Sequence, residues 1–302
     1  MAVSTKIIKK RLRSIGNTKK ITRAMEMVAA VKMRKSINQV LASRAYSQTA
    51  WQVILGLSKR IKSNHPLLKE PKASGKGLIV LISSNRGLCG GFNSQVINKA
   101  LALSRQENLD WEFMVMGKKG AEYLARGNKK IIAEFEKPDV FSGIAEVLPL
   151  ARLIIRDFVA EKYVKVCLVY TDYVSALIQR PNVLTLLPFE PKKDADLSVV
   201  TAEDRQAPPI DNTYFDSAEY IFEPNQSLIL DSFLPRIIEV QVYQAMLEST
   251  ASEHSARMMA MKSASSSASE MMTDLTLMFN QARQASITQE IAEITGSKAA
   301  LE

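Results

Sequence analysis

The chain has 302 residues, of which 46% are hydrophobic and 24% charged, a composition typical of a folded protein with one large or two small domains. This balance excludes disordered, collagen-like and disulfide-framework classes, and the longest apolar run, at 78–82, is far shorter than the roughly 18 residues that a membrane-spanning helix needs. The net charge of +9 is concentrated at the start: residues 1–60 carry 14 Lys and Arg against the single acid Glu26, residues 61–229 are neutral overall, and residues 230–302 carry −4.

The first 60 residues predict one long helix, from about Val3 to Ser58. No proline precedes Pro66, and an interior proline costs a helix ~3 kcal/mol. Ile8, Leu12 and Ile15 begin a coiled-coil stripe along it. An acid-poor start of this kind can also resemble a mitochondrial transit peptide, but the pattern continues without a cleavage-like break, so we expect no such peptide.

The middle of the chain alternates short apolar runs with helical patterns. Strands are predicted at 76–84, 111–117 and 164–170, and helices at 94–106, 118–126 and 144–161. This alternation is typical of an α/β domain with a mainly parallel sheet. Residues 175–189 predict a further strand pair, and 190–217, rich in Pro and Asp, a loop.

The segment SSNRGLCGGFN, Ser83 to Asn93, lies between a predicted strand and a predicted helix, where a phosphate-binding loop would lie. Its glycines match neither GxGxxG nor GxxxxGK[ST], so a tight structural turn is the favoured interpretation, with an α/β enzyme that uses a nucleotide as the alternative. Cys89 in this segment lacks a nearby histidine base, and we interpret it as a buried or loop thiol.

The sequence offers no catalytic, cofactor-binding or metal-binding constellation. Cys89 and Cys167 are the only cysteines, and His65 and His254 the only histidines; we interpret both histidines as isolated surface or packing residues. Metal chemistry and disulfides are therefore not expected, and no catalytic triad can be assembled from these residues.

A second long helix is predicted from about Ser227 to Ile294. Its apolar positions follow the alternating four and three spacing of a coiled-coil seam: Ala264, Ala268, Met271, Leu275, Met278, Ala282 and Ala285. The run KSASSSASE, Lys262 to Glu270, would let another backbone approach closely if helical; the alternative is a flexible Ser-rich linker.

These elements predict a long antiparallel coiled coil of the N- and C-terminal helices with an inserted α/β domain. At 1.5 Å per residue the helices would be roughly 80 and 100 Å long, and exposed helices of that length need a partner for their apolar stripes. The expected boundaries are 1–60 for the first helix, 76–220 for the α/β domain and 227–302 for the second helix.

The cationic first helix could bind nucleic acid or an anionic membrane surface. Tyr46 and Trp51 are its only aromatic residues, so stacking platforms are lacking. An acidic protein partner is at least as good an interpretation, and a nucleic-acid-binding coiled-coil protein remains the alternative.

Three motifs together resemble the gamma subunits of F-type rotary ATP synthases. They are IGNTKKITRAMEMVAAVKMRKS at 15–36, SSNRGLCGGFN at 83–93 and FNQARQASITQEIAEI at 279–294. The resemblance implies a long antiparallel coiled coil of the N- and C-terminal helices with an inserted Rossmann-like α/β domain. It also implies a rotor shaft that is not an enzyme itself and needs no cofactor. This shaft would stand in a ring of three alpha and three beta subunits and couple proton flow through a membrane c-ring to ATP synthesis and hydrolysis.

The resemblance also implies partner contacts. Contacts with the beta subunits are expected for Lys19, Lys20, Arg23, Met25, Lys32, Arg34, Lys35, Arg283 and Gln284, and contacts with epsilon and the c-ring side for Arg86, Gly87 and Asn93. The tip beyond Ile287 would turn in an apolar bearing. No nucleic acid partner is expected. The implied location is peripheral, on the cytoplasmic face of a bacterial inner membrane or on an organelle membrane. The stretch 190–217 lacks the cysteine pair of thiol-regulated plant members.

Overall fold

A computed structural model describes residues 5–60, 65–68, 75–107, 109–189 and 226–299. The chain divides into two compact units. The terminal unit combines the first 28 residues with those from Met258 onward, and the central unit is Ala29–Arg257. The loop predicted at 190–217 lies outside the described residues.

The two predicted long helices and the strand–helix alternation are confirmed. In chain order the described elements are α1 (Thr5–Arg60), β1 (Lys76–Ile82), α2 (Phe92–Gln106), β2 (Asp110–Met116), α3 (Lys118–Arg126), β3 (Ile131–Phe135), α4 (Leu148–Val159), β4 (Lys165–Tyr173), β5 (Gln179–Leu187) and α5 (Gln226–Ala299), with short 3-10 helices at Pro66–Leu68 and Ile144–Glu146. Among these described helices, none has the length and apolarity that crossing a membrane requires.

The five strands form one sheet in the order β3-β2-β1-β4-β5. β1, β2, β3 and β4 run parallel, and β5 pairs antiparallel with β4 along the edge. The strand pair predicted at 175–189 is wrong, because this segment contributes the single strand β5 after a short turn. β3 was not predicted at all.

The sheet is covered by helices on both faces. On one face α2 and α3 bury side chains such as Val96, Ala100 and Leu124 against the strands. On the other face α4 packs beside the first part of α5, whose Ile238 and Met246 are fully buried. The sheet is thus the middle layer of a three-layer α/β arrangement, and α5 forms part of its core.

In the terminal unit, α1 and α5 pack along a regular seam. The buried and half-buried positions of α1 include Thr5, Ile8, Leu12, Ile15, Lys19, Thr22 and Glu26, and those of α5 include Met261, Ser265, Ala268, Met272, Leu275, Phe279 and Ala282. Both sets alternate steps of three and four, the spacing of a coiled coil. The stripe predicted to begin at Ile8 is therefore confirmed.

The predicted seam of α5 needs a correction. Ala268, Leu275 and Ala282 belong to the seam, but Met271 and Met278 are 54% and 55% exposed, and Ala285 is exposed as well. The neighbours Met272 and Phe279 turn inward instead. The Met272 Cε lies 3.7 Å from the position that a Cβ on Gly16 would take, so Met272 packs beside Gly16. The Ser-rich run is helical, and the linker alternative is wrong.

A buried carboxylate anchors the end of the sheet where the parallel strands begin. Glu112 accepts hydrogen bonds from Lys76 Nζ at 2.9 Å, Lys130 Nζ at 2.6 Å and Tyr163 Oη at 2.7 Å. The hydrogen bond from Lys130 is the largest influence on its pKa. Together with those from Lys76 and Tyr163 it overcomes the opposing effect of burial and lowers the pKa of Glu112 to about 2.

This site predicts a specific loss of stability in acid. A carboxyl group with a lowered pKa stabilises the fold above its unfolded-state pKa, and this contribution disappears as the pH falls from about 4.5 to 2. The contribution at neutral pH is on the order of 3 kcal/mol. Urea unfolding measured across this pH range should show the loss in the wild type. The Glu112→Gln variant should be less stable at pH 7 and respond less to acid, and an unchanged acid response in this variant would contradict the assignment.

Candidate functional site

The segment 83–93 that follows β1 folds into a turn held by its own side chains. The Ser83 hydroxyl donates to the Gly117 carbonyl at 2.9 Å and accepts from the Gly120 amide at 2.9 Å. Asn93 accepts from the Ser84 amide at 3.0 Å and donates to Cys89 Sγ at 3.3 Å. These bonds use the polar groups of the segment to close the turn, in line with its prediction as a structural turn.

The residues predicted as partner contacts in this turn differ in accessibility. Arg86 and Gly87 are exposed at its tip, and a Cβ on Gly87 would meet no heavy atom within 4 Å. Asn93 is half-buried and holds the turn from inside. Cys89 is buried, as predicted. Arg86 and Gly87 are therefore available to a partner, whereas Asn93 acts through the shape of the turn.

A second loop, 136–143, leaves β3 at the same end of the sheet and collects contacts from three directions. Asn85 Nδ2 donates to the Lys137 carbonyl at 2.6 Å. From α1, Lys32 forms an ion pair with Asp139 at 2.7 Å, and Gln39 donates to the Phe141 carbonyl. The loop after β3 thus joins the turn after β1 to the first long helix.

From α5, a buried ion pair reaches the same loop. Glu253 Oε2 lies 2.7 Å from Lys137 Nζ, and Glu253 Oε1 lies 2.7 Å from Arg257 Nη2. Burial is the largest single influence on the pKa of Glu253 and acts to raise it. The charges and hydrogen bonds of Lys137 and Arg257 outweigh burial, so the pKa lies below its ordinary value. Glu253 is therefore ionised at neutral pH.

His254 is the neighbour of this pair and is also buried. Its Nε2 lies 2.7 Å from the Asp139 carbonyl, and its Nδ1 lies 3.2 Å from Arg257 Nη1. Arg257 can only donate, so Nδ1 must accept and the proton lies on Nε2. Burial lowers the pKa of His254, which agrees with a neutral ring. The interpretation of His254 as an isolated residue is wrong, because it links α5 to the loop after β3.

His65 is not isolated either. Its Nε2 lies 3.0 Å from an Asp231 carboxylate oxygen, and its Nδ1 accepts a hydrogen bond from the Leu67 amide at 3.2 Å. In the part of the chain that the structure describes, no group of histidine, cysteine and acidic side chains could hold a metal ion.

The cationic residues of α1 occupy different environments. In the terminal unit Lys20 is exposed, Lys19 and Met25 are half-buried, and Arg23 pairs with Glu26 at 2.8 Å. In the central unit Arg34 and Lys35 are exposed, and no carboxylate among residues 29–60, 65–68, 75–107, 109–189 and 226–257 is in ion-pair distance of either. These two cations are thus open to an acidic partner.

Near the end of α5, Arg283 and Gln284 are both exposed. Beyond them Ile287, Ile291 and Ile294 are also exposed, at 48%, 57% and 68%. A helix end with exposed guanidinium, amide and aliphatic groups can both hydrogen-bond a partner and bury apolar surface against it.

The structure brings together Lys32 and Arg86, two residues predicted to face different partners. Lys32 pairs with Asp139, and the positive charge of Arg86 also acts to lower the pKa of Asp139. The Arg86 carbonyl in turn accepts a hydrogen bond from Arg257 Nη2 at 3.5 Å. The turn after β1 and the inner part of the cationic helix therefore share one end of the central unit.

Sequence reasoning missed the residues at the centre of this arrangement, namely Lys137, Asp139, Glu253 and Arg257. Lys137 and Glu253 are 116 positions apart, and no motif connects them. Glu253 and Arg257, four residues apart on a predicted helix, look like an ordinary surface pair. The one available signal was the position of Glu253 and Arg257 on a stretch of α5 that is otherwise rich in small residues.

Comparison with known proteins extends over nearly the whole chain. Residues 4–301 match the family model described as ATP synthase. The chain is similar to an ATP synthase gamma chain of Dehalococcoides mccartyi, with 40% identity over 98% of both chains, and to one of Geotalea uraniireducens, with 40% identity over 96% of both. Its fold is similar to a chain in the cryo-EM structure of the Euglena gracilis mitochondrial ATP synthase in rotational state 3, with a TM-score of 0.66, 18% identity and coverage of 98% of this chain and 94% of that chain.

Proposed function

The chain belongs to the ATP synthase gamma-chain family, and from this premise we propose that the cationic side of α1 and the exposed end of α5 are the surfaces through which it transmits torque. As a gamma subunit it is the central shaft of the rotary enzyme and not the subunit that carries the catalytic sites. It couples rotation of a membrane c-ring to ATP synthesis and hydrolysis in a ring of alpha and beta subunits. This role replaces the nucleic-acid-binding alternative.

The observation that carries the proposal is the pair of exposed cations, Arg34 and Lys35. Two exposed cations at successive positions make this part of α1 positive, and such a surface gains from an acidic partner surface. We assign that surface to the catalytic subunits. Ion pairs between exposed side chains weaken as the salt concentration rises. Such weak contacts can break with one catalytic subunit and form with the next as a shaft turns.

The other predicted contacts of α1 contribute in different ways. Lys20 is exposed and joins Arg34 and Lys35 as a direct contact. Arg23 forms an ion pair with Glu26, and Lys32 forms one with Asp139. Each cation would therefore keep its own acidic neighbour while it contacts another subunit. Lys19 and Met25 are half-buried and act mainly by packing.

The exposed end of α5 is the second proposed surface. Arg283 and Gln284 would form hydrogen bonds with loops of the beta subunits. The aliphatic side chains from Ile287 onward would turn within an apolar bearing formed by the ring.

The turn after β1 is assigned to the catalytic side as well. The expectation placed Arg86, Gly87 and Asn93 on the side of epsilon and the c-ring, but Arg86 and Lys32 both lie close to Asp139. Because the two residues share one end of the central unit, we propose that one partner covers both. Epsilon and the c-ring would then dock on other parts of the central unit, and the complex would lie peripherally at the cytoplasmic face of a bacterial inner membrane.

Neutralising Arg34 and Lys35 tests this assignment. We expect Arg34→Gln with Lys35→Gln to weaken binding of the chain to the purified alpha–beta ring by about tenfold at low salt, since each exposed charge pair contributes on the order of 0.5 to 1 kcal/mol. The salt dependence of binding should become shallower. Co-purification of the tagged chain and binding measured over a salt series would show both effects.

A matched control removes the same charge elsewhere. Arg126→Gln with Lys129→Gln neutralises two exposed cations at the end of α3 and should leave the affinity and the salt slope unchanged. Equal losses in both double variants would show that net charge, rather than this surface, attracts the ring. Failure of the wild-type chain to assemble with alpha and beta subunits would refute the proposed function itself.

A further inference from the structure

We propose that residues 252–257 of α5, with the loops after β1, β3 and β4, form the joint that fixes the shaft helix to the α/β domain against rotation, and that the buried pair of Lys137 and Glu253 is its centre. We call this set of contacts the polar collar; on the helix it comprises Ser252, Glu253, His254, Ser255 and Arg257. The inference rests on the proposed function, since a chain that transmits torque must keep its helix from turning inside its own domain.

Before the collar, α5 bonds α1 and α4 through the buried polar side chains Gln244 and Glu239, whereas the side chains that it packs into the core of the sheet are mostly apolar. These include Leu234, Ile238, Val242 and Leu247. Apolar burial stabilises in proportion to area and has little directional preference. This part of the interface therefore holds α5 on the sheet but resists sliding or rotation of the helix only weakly.

The collar adds contacts that do have direction. The Ser252 hydroxyl donates to the Thr171 carbonyl at 3.2 Å, and the Ser255 hydroxyl donates to the Ala176 carbonyl at 2.7 Å. His254 bonds the Asp139 carbonyl at 2.7 Å. Successive residues of a helix point about 100° apart, so these bonds leave α5 in different directions, and a rotation about its axis would break all of them together.

The ion pair makes this rotation costly. Lys137 and Glu253 are only 3% and 6% exposed, so moving them apart would leave two charges without either water or a partner. Arg257 holds the second oxygen of Glu253, and Asn85 holds the backbone of Lys137. Glu253 is thus tied to its own helix and Lys137 to the turn after β1, so the pair can carry force between α5 and the α/β domain.

The first helix is tied to the same point. Lys32 of α1 pairs with Asp139, whose carbonyl accepts from His254. Both long helices therefore contact the loop after β3 within three residues of each other. The loop after β3 is the position at which force from the α/β domain enters the shaft.

The test is the Glu253→Gln variant in the complete ATP synthase, reconstituted in sealed lipid vesicles. Glutamine keeps the size of the side chain and removes the charge that Lys137 requires. We expect ATP hydrolysis to continue while the number of protons pumped per ATP hydrolysed falls by about twofold or more, the change that a residue on a coupling path produces. Pumping is read from a pH-sensitive dye, and hydrolysis from phosphate release in the same vesicles.

Glu112→Gln is the matched control. Glu112 is a carboxylate of similar burial that also binds two cationic side chains. Its partners are Lys76 of β1, Lys130 just before β3, and Tyr163, and none of them belongs to α5. The control should lose stability, as Glu253→Gln does, yet keep the pumping ratio of the wild type. An unchanged ratio of protons pumped to ATP hydrolysed in Glu253→Gln, or an equal fall in both variants, would overturn the proposal of a joint.

A second variant covers the case in which Glu253→Gln does not assemble. Ser252→Ala with Ser255→Ala removes two directional bonds of the collar without leaving a buried charge unpaired. A lowered pumping ratio in this variant supports the joint, and a wild-type ratio overturns it. These outcomes are separate from the proposed function, which fails only if the wild-type chain does not support coupled pumping.

Discussion

Substitution of Gly117 by alanine is expected to destabilise the α/β domain severely. Gly117 has a φ of +101°, a backbone conformation that residues with a side chain rarely adopt. A Cβ at this position would lie 2.5 Å from the Ser83 carbonyl oxygen, which belongs to buried backbone and cannot move aside. We expect a loss of about 4 kcal/mol or more from strain and overlap combined, most of the stability of an ordinary domain. Urea unfolding followed by circular dichroism would measure it.

The position matters because Gly117 holds the turn after β1. The Gly117 amide bonds the Phe135 carbonyl of β3 at 3.0 Å, and its carbonyl accepts from the Ser83 hydroxyl. Gly87→Ala is the control, because a Cβ there would meet open space, and its stability should change by less than about 0.5 kcal/mol. If Gly117→Ala were as stable as the wild type, the expected overlap with the Ser83 carbonyl would be wrong, because the turn would have moved to make room for the new Cβ.

The main elements could be predicted because each carries a strong local signal. The long helices lack interior glycine and proline almost entirely, and the strands β1, β2 and β4 are continuous apolar runs, which is the pattern of parallel strands buried on both faces. α3 was predicted at its observed bounds, between Gly117 and Gly127. In these segments local preference and tertiary packing agree.

The signal is weaker for the two edge strands of the sheet: β3 was not predicted, and the segment of β5 was interpreted as two strands. β3 has five residues, none of them fully buried, and charged residues surround it. β5 has no fully buried residue in its first half, where half-buried and exposed positions alternate, and it contains Pro181, which edge strands tolerate. For strands of this kind the apolar pattern is weak, and only pairing with a neighbouring strand identifies them.

The candidate surfaces could be predicted only in part. Exposed cations such as Arg34 and Lys35 are visible in the composition of the first helix. The polar collar was not, because Glu253 meets Lys137 only after the sheet has brought the loop after β3 beside α5. In a single sequence, a buried ion pair between distant segments looks the same as two solvated side chains.

The coiled-coil seam shows the same limit and gives the second large expected effect. Met271 and Met272 are both apolar, so spacing alone allows either to face α1. The structure selects Met272, which packs beside Gly16. We therefore expect Met272→Glu to destabilise the terminal unit by about 2 kcal/mol, since it places a charge among half-buried side chains. Hydrogen exchange of residues 5–28 and 258–299 should accelerate.

Met271→Glu is the control that distinguishes the two registers. Glutamate favours helices as well as methionine does, and Met271 is mostly exposed, so this variant should exchange at the wild-type rate. The reverse result, with Met271→Glu the more damaging variant, would restore the seam predicted from spacing. Equal damage would mean that α5 meets protein on both sides. The comparison therefore measures which face of the shaft is internal and which remains for its partners.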